Sequence, residues 1–207
     1  ILLDDVNFIK RGWINRNYII SNYSKQLITI PIESASQNIN INKLKLSESN
    51  DIWKIKTISS IKHSYSKAPH FKRVFPLLEN VFSSRECNLA NYISETIHLV
   101  LKYLNIKTEV VNSSTKYYNE DKKGAERILD ICKIESADEY VNLIGGLKLY
   151  NRKDFNDFGL KLSFLKTLDI KYKQFNDEFI SNLSIIDILM FNDKSTINDF
   201  LGKYELV

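Results

Sequence analysis

The chain has 207 residues, 43% hydrophobic and 26% charged, with 29 basic against 25 acidic side chains for a net charge of +4. That balance excludes an intrinsically disordered chain, and the length suits one domain with its own core. No apolar run approaches the roughly 20 residues a spanning helix needs, and two cysteines with three histidines form neither a disulfide framework nor a zinc spacing, so a reducing, cytoplasmic setting is expected.

The first part reads as strands. Residues 1–8, 17–20, 26–32 and 41–46 are dominated by β-branched and aromatic side chains, and Lys10-Arg11-Gly12 and Ser21-Asn22 supply turns. Ile1-Leu2-Leu3 runs straight into Asp4-Asp5-Val6 like a strand already under way, so residues are expected upstream of Ile1. From Asn50 the period changes: Ile52, Ile55, Ile58, Ile61 and Tyr65 predict a helix that stops before Pro69. A second helix is predicted over residues 71–81. A third spans residues 89–104, where Tyr92, Ile93, Thr96, Ile97, Val100, Leu101 and Leu104 form an apolar stripe.

The last part alternates. Residues 108–112, 139–143 and 160–164 predict strands, while 125–134 and 153–158 predict helices, the second closed by Gly159. This spacing suggests parallel βαβ crossovers. Apolar helices over 183–190 and 196–204 complete the chain. The expectation is a single mixed α/β domain over residues 1–207, β-rich at its start, helical in the middle and βαβ-like at its end, with a Rossmann-like sheet as one form it can take.

The window from Asp4 to Asn17 holds the densest set of reactive side chains. Adjacent Asp4 and Asp5 can accept hydrogen bonds from sugar hydroxyls or hold a metal. Lys10, Arg11 and Arg16 can grip a phosphate or carboxylate, arginine in bidentate fashion, and Trp13 can stack on a sugar or base. The alternative is a hairpin loop in which the charges pair locally and Trp13 plugs the core. Ser113-Ser114, between a strand and a loop, can meet an anion or simply cap a turn. Gly145-Gly146, with Tyr150 nearby, can let the backbone approach a ligand closely or simply form a turn, and it carries neither a nucleotide fingerprint nor a phosphate-loop spacing. His63 and His70 flank the Ala68-Pro69 bend as a general base or as surface residues. Cys132 falls on an apolar helix face and is expected in the core. Asp187 lies within an apolar helix, where an unpaired carboxylate costs several kcal/mol if buried, so it needs a partner such as an Arg or a backbone donor. It is either a structural anchor or an acid of the active site.

Residues 4–17, the Thr29-Ile30-Pro31-Ile32 strand, Tyr65-Ser66-Lys67-Ala68-Pro69-His70-Phe71 and residues 183–192, taken in order, resemble the WbqC-like family of bacteria over essentially the whole chain. Members open with a strand and a Gln-Pro-aromatic, Gly-Tyr-containing turn upstream of the Asp-Asp-Val motif. That opening is absent here, in line with the residues expected upstream. The resemblance implies a place in O-antigen and other lipopolysaccharide gene clusters and a glycine transferase role.

On that footing the expected activity is aminoacyl transfer to the amine of a nucleotide-linked deoxyamino sugar. Asp4 or Asp5 would orient or deprotonate the amine, Lys10 and Arg16 would hold phosphate, and Asn15 and Asn17 would bond sugar hydroxyls or the carbonyl. The resemblance adds Arg127, Tyr150 and Gln174 as further substrate contacts, with Asp187 and Ser113 kept as candidates from their own chemistry. The acyl donor is free glycine with ATP, an aminoacyl-tRNA or a thioester carrier; no cofactor or metal is specified, and the oligomeric state stays open. A non-catalytic nucleotide-sugar or glycan-precursor binding protein would use the same cations without needing a base. Nucleotidyl transfer is the third reading.

Overall fold

The computed structural model describes residues 1–47 and 52–207, so the predicted change of period at Asn50 lies outside the described residues. In chain order the elements are strands β1 (Arg16–Ser21) and β2 (Ser24–Thr29) and helices α1 (Ile52–Tyr65), α2 (Phe71–Ser83), α3 (Leu89–Leu104) and α4 (Gly124–Ile134). They continue with β3 (Glu139–Leu143), α5 (Arg152–Asp157), β4 (Lys161–Thr167), α6 (Ile185–Phe191), α7 (Lys194–Leu201) and β5 (Tyr204–Leu206). The class is mixed α/β, as expected. Among the described residues the strands form two small sheets, in the orders β1-β2 and β3-β4-β5, and no larger parallel sheet. The chain divides into two compact units, Ile1–Ser113 with Lys171–Asp199 and Ser114–Ile170 with Phe200–Val207.

In the first unit β1 and β2 are antiparallel, from Arg16↔Thr29 to Ser21↔Ser24. The two linking residues, Asn22 (φ 48°) and Tyr23 (φ 57°), are both left-handed, the backbone that matches strand twist in a two-residue hairpin. Ile19 and Ile20 are buried beside Ile61 and Tyr65 of α1, Val74 and Leu78 of α2, and Ile186, Leu189 and Met190 of α6. A second apolar cluster joins Phe8, Ile41, Leu44 and Leu46 to Leu89, Ala90 and Tyr92 at the start of α3. Both ends of α3 follow from its caps: the Asn88 side chain accepts from the Asn91 N–H, and Asn105 (φ 59°) turns the chain left-handed.

Three predicted strands do not form. Residues 1–8 are held by separate bonds, Leu2 N–H to Val111 O (2.8 Å), Asn42 N–H to Asp4 O (2.8 Å) and Ile41 N–H to Val6 O (3.0 Å). Residues 108–112 likewise receive the Leu2 bond without a ladder. In place of the strand over 41–46, a 3-10 turn spans Ile41–Lys43, followed by the isolated bridges Lys45↔Asn88 and Ile32↔Leu46. The apolar composition there serves burial of single side chains. In α1 only the C-terminal half of the predicted stripe is buried, Ile61 and Tyr65, while Ile52 and Ile55 are exposed.

In the second unit β3 and β4 are parallel, from Glu139↔Lys161 to Leu143↔Leu165, with α5 in the crossover, so the predicted βαβ step is present. Gly159 (φ 72°) closes α5, its N–H donating to Asn156 O (2.9 Å) while Leu160 N–H returns to Phe155 O (3.0 Å). Cys132 is buried in this unit's core with Ile128, Leu129, Phe155, Leu162 and Phe164. The predicted last helix ends at Leu201, and residues 204–206 instead form β5, antiparallel to β4. A three-residue edge strand is too short to show a period in sequence.

Candidate functional site

The segment before β1 is fixed by a tight turn. Gly12 N–H donates to Ile9 O at 3.1 Å, with Arg11 held left-handed at φ 61°, a backbone that costs a non-glycine residue about 1–2 kcal/mol. A Cβ on Gly12 would sit 3.0 Å from Ile9 O, so a larger residue would press on the turn. Beyond it, Arg16 Nε donates to Gly12 O (3.1 Å), and the Asn15 side chain and backbone clamp Ile30 by bonds of 2.8 Å each. These contacts fix the plane of the Arg16 guanidinium and join the segment to the strand end.

Two depressions meet at this strand end. One, of about 320 Å³, is walled by Lys10, Arg11 and Arg16 over Phe8, Pro31 and Ala35. Among the described residues none of these three cations forms an ion pair, so no described carboxylate neutralises them. The other, of about 410 Å³, is chiefly apolar, with Trp13, Trp53, Leu78, Ile93, Val100 and Leu189 among its walls and Asn17, Thr57 and Thr96 as polar points. Asn15, Arg16, Thr29 and Ile30 line both. Much of the α3 stripe therefore faces open space. Trp13 is 66% exposed and meets Tyr18 edge-on (5.6 Å), so it does not plug the core. Asn17 is exposed and its Oδ1 accepts from Tyr18 N–H (2.8 Å), which leaves the amide NH2 as the donor end of its side chain.

The remaining candidates of this unit lie in two further places. Asp4 and Asp5 are buried, and Ser113 Oγ donates to Asp4 Oδ1 at 2.8 Å, bringing together two candidates 109 residues apart. Asp187 is 0% exposed and accepts three bonds: from Tyr65 Oη (2.8 Å) at Oδ1, and from Tyr172 Oη (2.7 Å) and Gln174 Nε2 (2.8 Å) at Oδ2. Burial pushes its carboxyl above the ordinary range, and the three donors act against that shift. The same desolvation, with Asp187 nearby, raises the Tyr65 and Tyr172 hydroxyls. Gln174 also donates to Ile180 O (3.0 Å) and accepts from Ile180 N–H (2.8 Å), so its side chain is occupied in holding residues 174–180. Two tyrosine hydroxyls and an amide thus supply the partners that Asp187 was expected to need. The three bonds tie α6 to α1 and to residues 172–174.

In the second unit Arg127 is buried, its Nε donating to Asn119 Oδ1 (3.1 Å), and Asn119 donates in turn to Asp130 (2.8 Å), which Lys122 also meets. Tyr150 packs edge-on against Tyr140 and Phe155, both at 5.7 Å. Among the described residues no cluster of three or more His, Cys, Asp or Glu is placed to hold a metal ion, and no helix is long and apolar enough to cross a membrane.

The chain is thus a mixed α/β protein with a cationic cleft beside an apolar cavity. The WbqC-like protein family model matches residues 1–199, and the chain belongs to that family. It is also similar to the uncharacterized protein Rv1507c of Mycobacterium tuberculosis, with 27% identity over 203 residues, covering 97% of this chain and 86% of that protein. No solved structure matches.

Proposed function

We propose that the protein is an aminoacyl transferase that joins glycine, or a similarly small acyl group, to the amine of a nucleotide-linked deoxyamino sugar in O-antigen or other surface-polysaccharide assembly. The observation that carries this reading is the cleft of Lys10, Arg11 and Arg16, three cations with no ion pair among the described residues. A diphosphate supplies the matching charge, and the fixed Arg16 guanidinium can take it by paired N–H bonds. In the transfer the amine nitrogen attacks the acyl carbonyl carbon. A C–N bond forms, the bond to the leaving group breaks, and the amine's proton passes to a base, a role proposed for Asp5 on its residue type and its nearness in sequence to the three cations. Asn17 offers its amide to the carbonyl oxygen or a sugar hydroxyl.

A second reading is a nucleotide-sugar binding protein without catalysis. It is supported by the engagement of Asp4 with Ser113 and by the enclosure of Asp187, which leave fewer carboxylates to move protons. Thermal shift against nucleotide-linked sugars with and without a 4-amino group, comparing the native chain with Arg16→Ala and Asp5→Asn, separates the readings. A ligand at about 100 times its Kd adds roughly 2.7 kcal/mol. Stabilisation by the amino sugar that Arg16→Ala abolishes, with acyl transfer lost in Asp5→Asn, is expected. Binding without transfer leaves the second reading, and no shift with any nucleotide sugar removes both.

A further inference from the structure

The cleft and the cavity are contiguous. Arg16 and Thr29 are partners in the β1-β2 ladder, and this one residue pair lines both depressions. On one side stand three cations; on the other, side chains from α1, α2, α3 and α6 present aliphatic and aromatic surface around about 410 Å³. That volume falls within the range of small-molecule sites, which run from roughly 300 to 1,000 Å³. A sugar or base placed there would need several paired donors and acceptors, whereas the walls are mostly hydrocarbon.

We propose that this double site binds an amphiphilic anion, with a hydrocarbon chain in the cavity and its phosphate headgroup at Lys10, Arg11 and Arg16. The proposal rests on the phosphate assignment made above for the same cations, and on neither the amino sugar nor the transfer step. The occupant follows from charge complementarity on one side of Arg16 and apolar burial on the other. Since the phosphate subsite is shared, a nucleotide-linked sugar and the amphiphile exclude one another.

The chain's two tryptophans, Trp13 and Trp53, both line the cavity, so their fluorescence reports its occupation directly. The test is a titration of the unsubstituted protein with ethyl, hexyl and decyl phosphate below their micelle concentrations, beside decanol and inorganic phosphate. Affinity is expected to rise roughly fourfold per buried methylene. Arg16→Ala should bring decyl phosphate down to the level of decanol, and Val100→Phe, which narrows the cavity, should bring it toward ethyl phosphate. Affinity independent of chain length, or decanol binding as tightly as decyl phosphate, would overturn the proposal. So would a dimer in sedimentation that decyl phosphate fails to dissociate, because the cavity would then be an interface between copies. Chain-length dependence with no binding of nucleotide-linked sugars would support this proposal while removing both nucleotide-sugar readings.

Discussion

Tyr65 Oη donates to Asp187 Oδ1 at 2.8 Å, a contact between residues 122 positions apart. The same hydroxyl accepts the Ile20 N–H at 3.0 Å, so one oxygen joins β1, α1 and α6. Tyr65→Phe removes both bonds and leaves a buried amide and a carboxylate oxygen each short of a partner. The expected loss is about 2–3 kcal/mol, read as a lower urea midpoint at unchanged slope. A loss under about 0.5 kcal/mol would mean that this junction does not hold the unit together.

Asp187 also makes stability depend on pH. Its folded carboxyl titrates above the ordinary value of 3.8, because desolvation disfavours the charge. Between that value and the raised one the folded state binds more protons than the unfolded state, so this group's contribution to stability falls as pH rises through the window. Asp187→Asn removes the titration. The stability of the native chain minus that of the variant should therefore grow as pH falls across the window, measured by paired melts. A difference flat with pH would contradict the raised value.

The hairpin turn carries a cost that one substitution can remove. Tyr23 is left-handed at φ 57° and exposed, with no Cβ penalty if replaced by glycine. Tyr23→Gly, giving Asn-Gly at the two turn positions, is expected to raise stability by about 1 kcal/mol. A fall in Tm would show that the Tyr23 ring contributes more than its backbone costs.

At the cleft, geometry should matter beyond charge. Arg16→Lys keeps the cation but loses the Nε bond to Gly12 O and the planar pair of donors. Calorimetric affinity for a nucleotide diphosphate sugar should drop about tenfold, near 1.4 kcal/mol. Equal affinity would reduce the site to a point charge.

The parts of the fold that were legible carry their own punctuation. Asn88 and Asn105 bound α3 at the predicted residues, and Gly159 closes α5 as expected. Residues 1–8 and 41–46 were misread because β-branched composition reports burial, and says nothing of which backbone, if any, completes a ladder. The α3 stripe shows a second limit: Ile93, Ile97 and Val100 repeat at helical spacing whether they meet packed side chains or open space. Of the site, Lys10, Asn15 and Arg16 were found by residue type and proximity in sequence. Thr29 and Ile30 entered only through the strand register, and Tyr65 and Tyr172 as partners of Asp187 only through contacts long in sequence.

Each compact unit is assembled from two stretches of chain, and the stretches interleave: the first unit resumes at Lys171 after the body of the second, and the second is finished by Phe200–Val207. On the ribosome, residues 1–113 must therefore wait through the synthesis of 71 further positions, 114–184, before α6 arrives to cover Ile20 and Tyr65. At about 5–20 residues per second that is a delay of several seconds. For that interval the Tyr65 hydroxyl has no Asp187 to meet, and the newborn chain is exposed to holding chaperones and proteases at the face that α6 later closes.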